Sequence, residues 1–90
     1  MSESVLESLL EFPCTFPIKV MGRAEAGLSS AVLDIVVRHA PDFDVSQVET
    51  RSSRQGKYLS LTCTIQARSR QQLDALYLEL CDHPAVITVL

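Results

Sequence analysis

The residues with chemistry to offer are three cysteines, two histidines, one glycine-bounded loop and one short basic stretch. Cys14, Cys63 and Cys81 are odd in number, stand at unrelated spacings and form no C-x-x-C pair. A structural zinc site needs four converging ligands, and Cys81-x-His83 offers two. Nucleophilic catalysis needs a cysteine or serine within reach of a base, and Cys14 has no histidine near it in sequence. The Gly22-Arg23-Ala24-Glu25-Ala26-Gly27 stretch leads into a helix, where free amides and the positive dipole end favour an anion. Gly22, Arg23 and Gly27 are therefore the ligand-binding candidates, with Arg23 placed to meet a carboxylate. The plainer reading is a permissive turn between strand and helix. Arg51, Arg54 and Lys57 cluster beside Tyr58, which raises RNA binding; the plainer reading there is a solvated hairpin end. RNA-binding sheets stack bases on two or three aromatics, whereas this strand offers Tyr58 and then Thr62 and Thr64.

The elements that must position these residues follow from apolar spacing. Leu59, Leu61, Cys63, Ile65 and Ala67 alternate with Tyr58, Ser60, Thr62, Thr64 and Gln66, a period of two that buries one face of a strand. Thr15–Gly22 reads as an earlier strand, with Phe16, Ile18 and Val20 on one face and Pro17, Lys19 and Met21 on the other. Gly27–Ala40 carries Leu28, Val32, Ile35 and Val36 at helical spacing, and Pro41 ends it. Arg38 and His39 fall in its last turn, where positive charge suits the dipole. Val45–Arg54 is a polar strand suited to a sheet edge, and Gln55-Gly56 turns the chain back. Ser69–Asp82 is a second helix with Leu73, Leu76, Tyr77, Leu80 and Cys81 as its stripe. Ala85–Leu90 is a last strand. At the other end of the chain Ser4-Val5-Leu6-Glu7 fits a capping box, Val5, Leu6, Leu9 and Leu10 make a stripe, and Pro13 stops it.

This order predicts an α+β fold: a ferredoxin-like β-α-β-β-α-β sandwich with a four-stranded antiparallel sheet in the order 4-1-3-2. Both helices lie on one face, and a short N-terminal helix is added. The chain reads as a single domain over 1–90, with a helical segment at 1–13 and the ferredoxin-like core at 14–90. In this topology the helices run antiparallel. A helix of about 13 residues spans roughly 20 Å, so His39 and His83 stand at opposite ends and cannot share a metal. No metal and no cofactor are expected.

Composition narrows the classes further. The chain has 8 basic and 11 acidic residues and a net charge of -3, the wrong sign for a protein that binds by neutralising phosphates. Reduced, apolar-face cysteines point to a cytoplasmic location. No apolar run approaches membrane-spanning length. The remaining peculiarity is the last strand, which is apolar on both sides: Ala85, Ile87 and Val89 on one, Val86 and Leu90 on the other. The outward set would lie beside Pro17 and Met21, and apolar patches of that kind attract a cover. Val5, Leu6, Leu9, Leu10, Pro17, Met21, Ile87 and Val89 are the partner-binding candidates, for a protein partner, a second copy or the chain's own N-terminal segment.

Several motifs in order complete the reading: Leu9-Leu10-Glu11-Phe12-Pro13, Lys19-Val20-Met21-Gly22, His39-Ala40-Pro41, Ser52-Ser53, Gly56-Lys57-Tyr58-Leu59-Ser60, Leu76-Tyr77 with Glu79-Leu80, and Val89-Leu90. Together they resemble the YbeD-like family of small uncharacterised bacterial proteins. The resemblance implies a ferredoxin-like fold similar to the ACT regulatory domain, a role in allosteric regulation or lipoate metabolism, and a first loop that holds a small amino acid. It carries over no catalytic residue. Arg54-Gln55 lengthens the turn relative to some members of that family. The expectation is a non-enzymatic cytoplasmic regulatory or protein-interaction module, with small-ligand control at the first loop. The alternatives are an RNA-binding sheet face and a small acyl- or phosphoryl-handling enzyme that uses Arg23.

Overall fold

The computed structural model describes residues 11–90. The expected N-terminal helix over 1–12, and with it Val5, Leu6, Leu9 and Leu10, lies outside the described residues. Four strands and two helices follow in order: β1 (Cys14–Arg23), α1 (Leu28–His39), β2 (Glu49–Ser52), β3 (Tyr58–Ala67), α2 (Arg70–Asp82) and β4 (Val86–Val89). They form one antiparallel sheet in the order β2-β3-β1-β4. This is the predicted 4-1-3-2 arrangement read from the other edge.

The alternation of β3 builds the core. Leu61, Cys63, Ile65 and Ala67 are buried, and they face Ile18 and Val20 of β1 across the same side of the sheet. Leu28, Val32, Ile35 and Val36 of α1 and Leu73, Leu76 and Leu80 of α2 close over them. The opposite face carries Lys19, Met21, Ser60 and Thr62 and has no layer above it among the described residues.

Three local expectations are corrected. The strand expected over Val45–Arg54 is only Glu49–Ser52, because Val45–Gln47 is a single 3-10 turn. Asp44 causes it: its carboxylate accepts from the Ser46 amide at 3.0 Å and from the Ser46 hydroxyl at 2.7 Å, which holds the backbone out of the ladder. Cys81, placed in the stripe of α2, is exposed. Leu73, Leu76 and Leu80 centre that stripe over the sheet, and a residue eight positions past Leu73 has rotated away from it.

The third correction is a bulge in β4. Val20 pairs with Val89 and Met21 with Thr88, but Gly22 pairs with Val86. Ile87 is thus the extra residue, and it is 53% exposed, while Val86 and Val89 pack against the core. Strict alternation had put Ile87 and Val89 on the same face; one inserted residue separates them.

Candidate functional site

The α1 end of the sheet brings three connections together: the β1–α1 loop, the β2–β3 hairpin and the α2–β4 turn. Arg23 is the last residue of β1 and pairs with Tyr58, the first of β3. The Ala24 amide continues the ladder to the Lys57 carbonyl at 2.9 Å. The two loops are therefore neighbours, yet their side chains are used in opposite ways.

The β1–α1 loop is tied down internally. The Arg23 amide donates to the Ala85 carbonyl at 2.9 Å, and its guanidinium donates to the Pro84 carbonyl at 2.8 Å and to Glu25 at 3.0 Å. Gly22 lies against the same turn: a Cβ there would stand 2.5 Å from the Ala85 carbonyl oxygen. Its small size is a packing requirement between β1 and the start of β4. Gly27 caps α1 with a φ of 90° and no side-chain hydrogen bond, and an added Cβ would meet nothing within 4 Å. Of the three candidate ligand residues, Gly22 and Arg23 face the α2–β4 turn, and Gly27 alone borders open space.

The hairpin is rigid in its backbone and open in its charges. Ser53 closes it: its amide donates to the Tyr58 carbonyl, its carbonyl accepts from Gly56, and its hydroxyl accepts from the Tyr58 amide, at 2.9, 2.9 and 3.1 Å. Gly56 supplies the left-handed residue, with φ 73°. Beside it lies an open depression of about 220 Å³, lined by Met21, Arg51, Tyr58, Leu59 and Ser60, with Leu59 turning its side chain to the core. A second hollow of about 230 Å³ holds Arg54 and Lys57 on the other side of Tyr58.

The ion pairs divide the arginines cleanly. Arg23 pairs with Glu25, Arg38 with Asp34 and Glu79, Arg68 with Asp42, and Arg70 with Asp74. Among the described residues Arg51 and Arg54 have no acidic partner, and neither has Lys57. Three of the chain's 8 basic residues thus fall within Glu49–Tyr58, which holds a single acid among 11.

The helical layer shows how an arginine outside the hairpin is spent. Glu79 receives both Arg38 terminal nitrogens, and its Oε1 lies 2.7 Å from His39 Nε2. The Arg38 and His39 contacts hold its carboxyl well below the usual range, at about 2, and the Arg38 guanidinium is raised in turn. Gln72 adds a hydrogen bond to the His39 carbonyl at 2.8 Å. His39 is therefore a linker between α1 and α2, while His83 Nδ1 accepts from the Ala85 amide at 3.1 Å in the α2–β4 turn. Among the described residues no three histidine, cysteine or carboxylate side chains gather as a metal site requires. Burial pushes the Cys63 thiol up to about 11, which keeps it protonated and inert at neutral pH.

The remaining candidates lie further along the open face. Leu90 exchanges two backbone hydrogen bonds with Lys19, so Pro17, two residues on, turns its nitrogen toward an edge that no described strand covers. A missing N–H costs nothing there. Pro17 and Leu90 are exposed and Met21 half-buried. Met21 sits beside Ser60 and joins the hairpin depression, and on its other side it pairs with Thr88, next to the exposed Ile87. That contact, and the Arg23 clamp on Pro84, carry no signal in the linear sequence, because both depend on strand register. The lack of acids around Arg51, Arg54 and Lys57 was legible there.

This sheet, with two helices on one face and short connections at its end, is an α+β sandwich of ferredoxin-like topology. The chain is similar in structure to the ACT domain from GTP pyrophosphokinase of Chlorobium tepidum, with a TM-score of 0.67 and 14% identity over 86% of this chain and 83% of that one. It is likewise similar to protein HP0495 of H. pylori, with a TM-score of 0.68 and 10% identity over 90% of this chain and 85% of that one. At such identities the likeness concerns the fold alone. By sequence the chain belongs to the family described as "Protein of unknown function (DUF493)", whose model matches residues 7–90. A UPF0250 protein of Nitrosomonas europaea is 61% identical over 84 residues, 93% of this chain and 97% of that relative. The YbeD-like resemblance of the motifs is thereby established. No helix among the described residues is long and apolar enough to cross a membrane.

Proposed function

We propose that this chain is a non-enzymatic regulatory module of the ACT kind, acting in the cytoplasm by docking on a protein partner under small-ligand control. The observation that carries this reading is the likeness over 86% of the chain to the ACT domain from a GTP pyrophosphokinase. The chemistry of the residues agrees with it. The one fully buried cysteine has its thiol raised, and Arg23, the side chain an acyl- or phosphoryl-handling enzyme would use, is already bonded to Pro84 and Glu25.

The test joins two measurements. Isotopically labelled protein titrated with each common amino acid should show NMR shift changes confined to one end of the sheet. A partner enzyme identified by tagged purification should change rate when the purified protein is added back. Turnover of an acyl phosphate or thioester by the chain itself, or a partner whose rate does not respond, overturns the reading.

A further inference from the structure

We infer that the β2–β3 hairpin, with the depression beside it, is the surface that takes the partner, and that the partner presents an extended acidic segment bearing an apolar side chain. This rests on the regulatory reading above and names its contact surface. Charge complementarity is the first ground. Every arginine outside the hairpin has an acidic partner, while Arg51, Arg54 and Lys57 have none among the described residues, on a chain of net charge -3. A protein that neutralises its other guanidinium groups and leaves one cluster open holds a local positive field against its own overall charge.

The backbone supplies the second ground. The Ser53 amide donates to the Tyr58 carbonyl in line with the ladder, and the register continues Arg51 to Ser60 and Glu49 to Thr62. Antiparallel pairing alternates, so Thr50 and Ser52 turn their N–H and C=O groups outward. β2 is a sheet edge with nothing beyond it among the described residues. An added peptide strand would find main-chain partners there. Its carboxylates would reach Arg51, Arg54 and Lys57, and one apolar side chain would cover the β2 side of the depression, toward Tyr58.

These features favour a peptide over single-stranded RNA. Outward peptide groups on an edge strand recognise another backbone of the same kind, and a nucleic acid has none. The sheet row beyond Tyr58 is Ser60, Thr62 and Thr64, which gives bases no further platform.

The probe is a fluorescein-labelled peptide with aspartates and one phenylalanine at every second position and threonines between them, so that all fall on one face of a strand, added to the full chain. A lysine-for-aspartate peptide and a single-stranded oligouridylate serve as comparisons. The acidic peptide alone should give saturable polarisation, and NMR shift changes should appear at Thr50, Arg51, Ser52, Tyr58, Ser60 and Met21. Binding should weaken about tenfold when salt rises from roughly 0.05 to 0.5 M, and by at least as much in the Arg51→Glu, Arg54→Glu, Lys57→Glu variant. No binding, a footprint on the β1–α1 loop, or oligouridylate shifting the same residues in place of the peptide overturns it. A rate-responsive partner that binds the charge-reversed variant as well as the native chain also overturns it, and leaves the regulatory reading standing. The native-protein footprint keeps the test valid if the variant misfolds.

Discussion

Two loops at one end of the sheet sit side by side, each with an arginine, and use it in opposite ways. In the β1–α1 loop Arg23 is bonded to the Pro84 carbonyl and Glu25, and Gly22 is pressed against Ala85. In the β2–β3 hairpin Arg51 and Arg54 are open, and the backbone is closed by Ser53 alone. A charge already satisfied inside the fold contributes to stability and has little left for a ligand. A charge left open does the reverse: it gains nothing from folding and stays hydrated, available to steer and pair with a partner. In the fold the first loop's arginine is bonded inward, and the hairpin's arginines face solvent.

The largest effect should come from the locked side. Gly22→Ala places a methyl group 2.5 Å from a backbone oxygen and 3.2 Å from Leu28, so β1 or the start of β4 must move. The expected cost is about 3 kcal/mol in urea unfolding. Gly56→Ala in the hairpin meets nothing within 4 Å and bears only the left-handed backbone, about 1 kcal/mol. Equal losses at the two glycines would break the contrast.

Acid should then act on the helical layer. Glu79 lies at about 2 when folded, against an ordinary value of 4.5, chiefly through Arg38 and then His39. A carboxyl depressed by folding contributes fully above its unfolded value. That contribution is lost as pH falls from about 4.5 toward 2. Glu79→Gln should lower stability at neutral pH and flatten thermal stability across that acid window. An unchanged acid slope would detach the Arg38–Glu79–His39 contacts from folding.

Smaller still is Arg23→Ala, which removes the guanidinium bond to Pro84 from a half-exposed side chain and should cost about 1 kcal/mol in the same urea assay. Arg51→Ala, with no partner to lose, should fall within about 0.5 kcal/mol of the native chain. If Arg51 proved the more costly of the two, the division between a structural and an open arginine would be reversed.

Much of the fold was legible because it rests on periodicity. The alternation over Tyr58–Ala67 and the stripes of α1 and α2 fix which faces meet, and a right-handed interleaving of two such units leaves one sheet order. The errors came where a single side chain or residue overrides the pattern. Asp44 captures Ser46 and shortens β2, and the extra residue at Ile87 puts Ile87 and Val89 on different faces of a strand that alternation had kept in step. The candidate site was legible in composition and not in geometry. Arg51, Arg54 and Lys57 lie close in sequence, but Met21 joins them only because β1 and β3 pair in the register that sets it opposite Ser60.

By itself, the sequence determined the strands, the helices, their order and the charge on each segment, since these depend on residues within one or two turns of each other. The tertiary structure decided which charges are spent. Arg23 and Pro84 are 61 residues apart, and Arg38 and Glu79 are 41 apart. Whether a guanidinium meets a carbonyl, a carboxylate or open solvent is a matter of a few ångströms, and those distances exist only once the sheet is assembled.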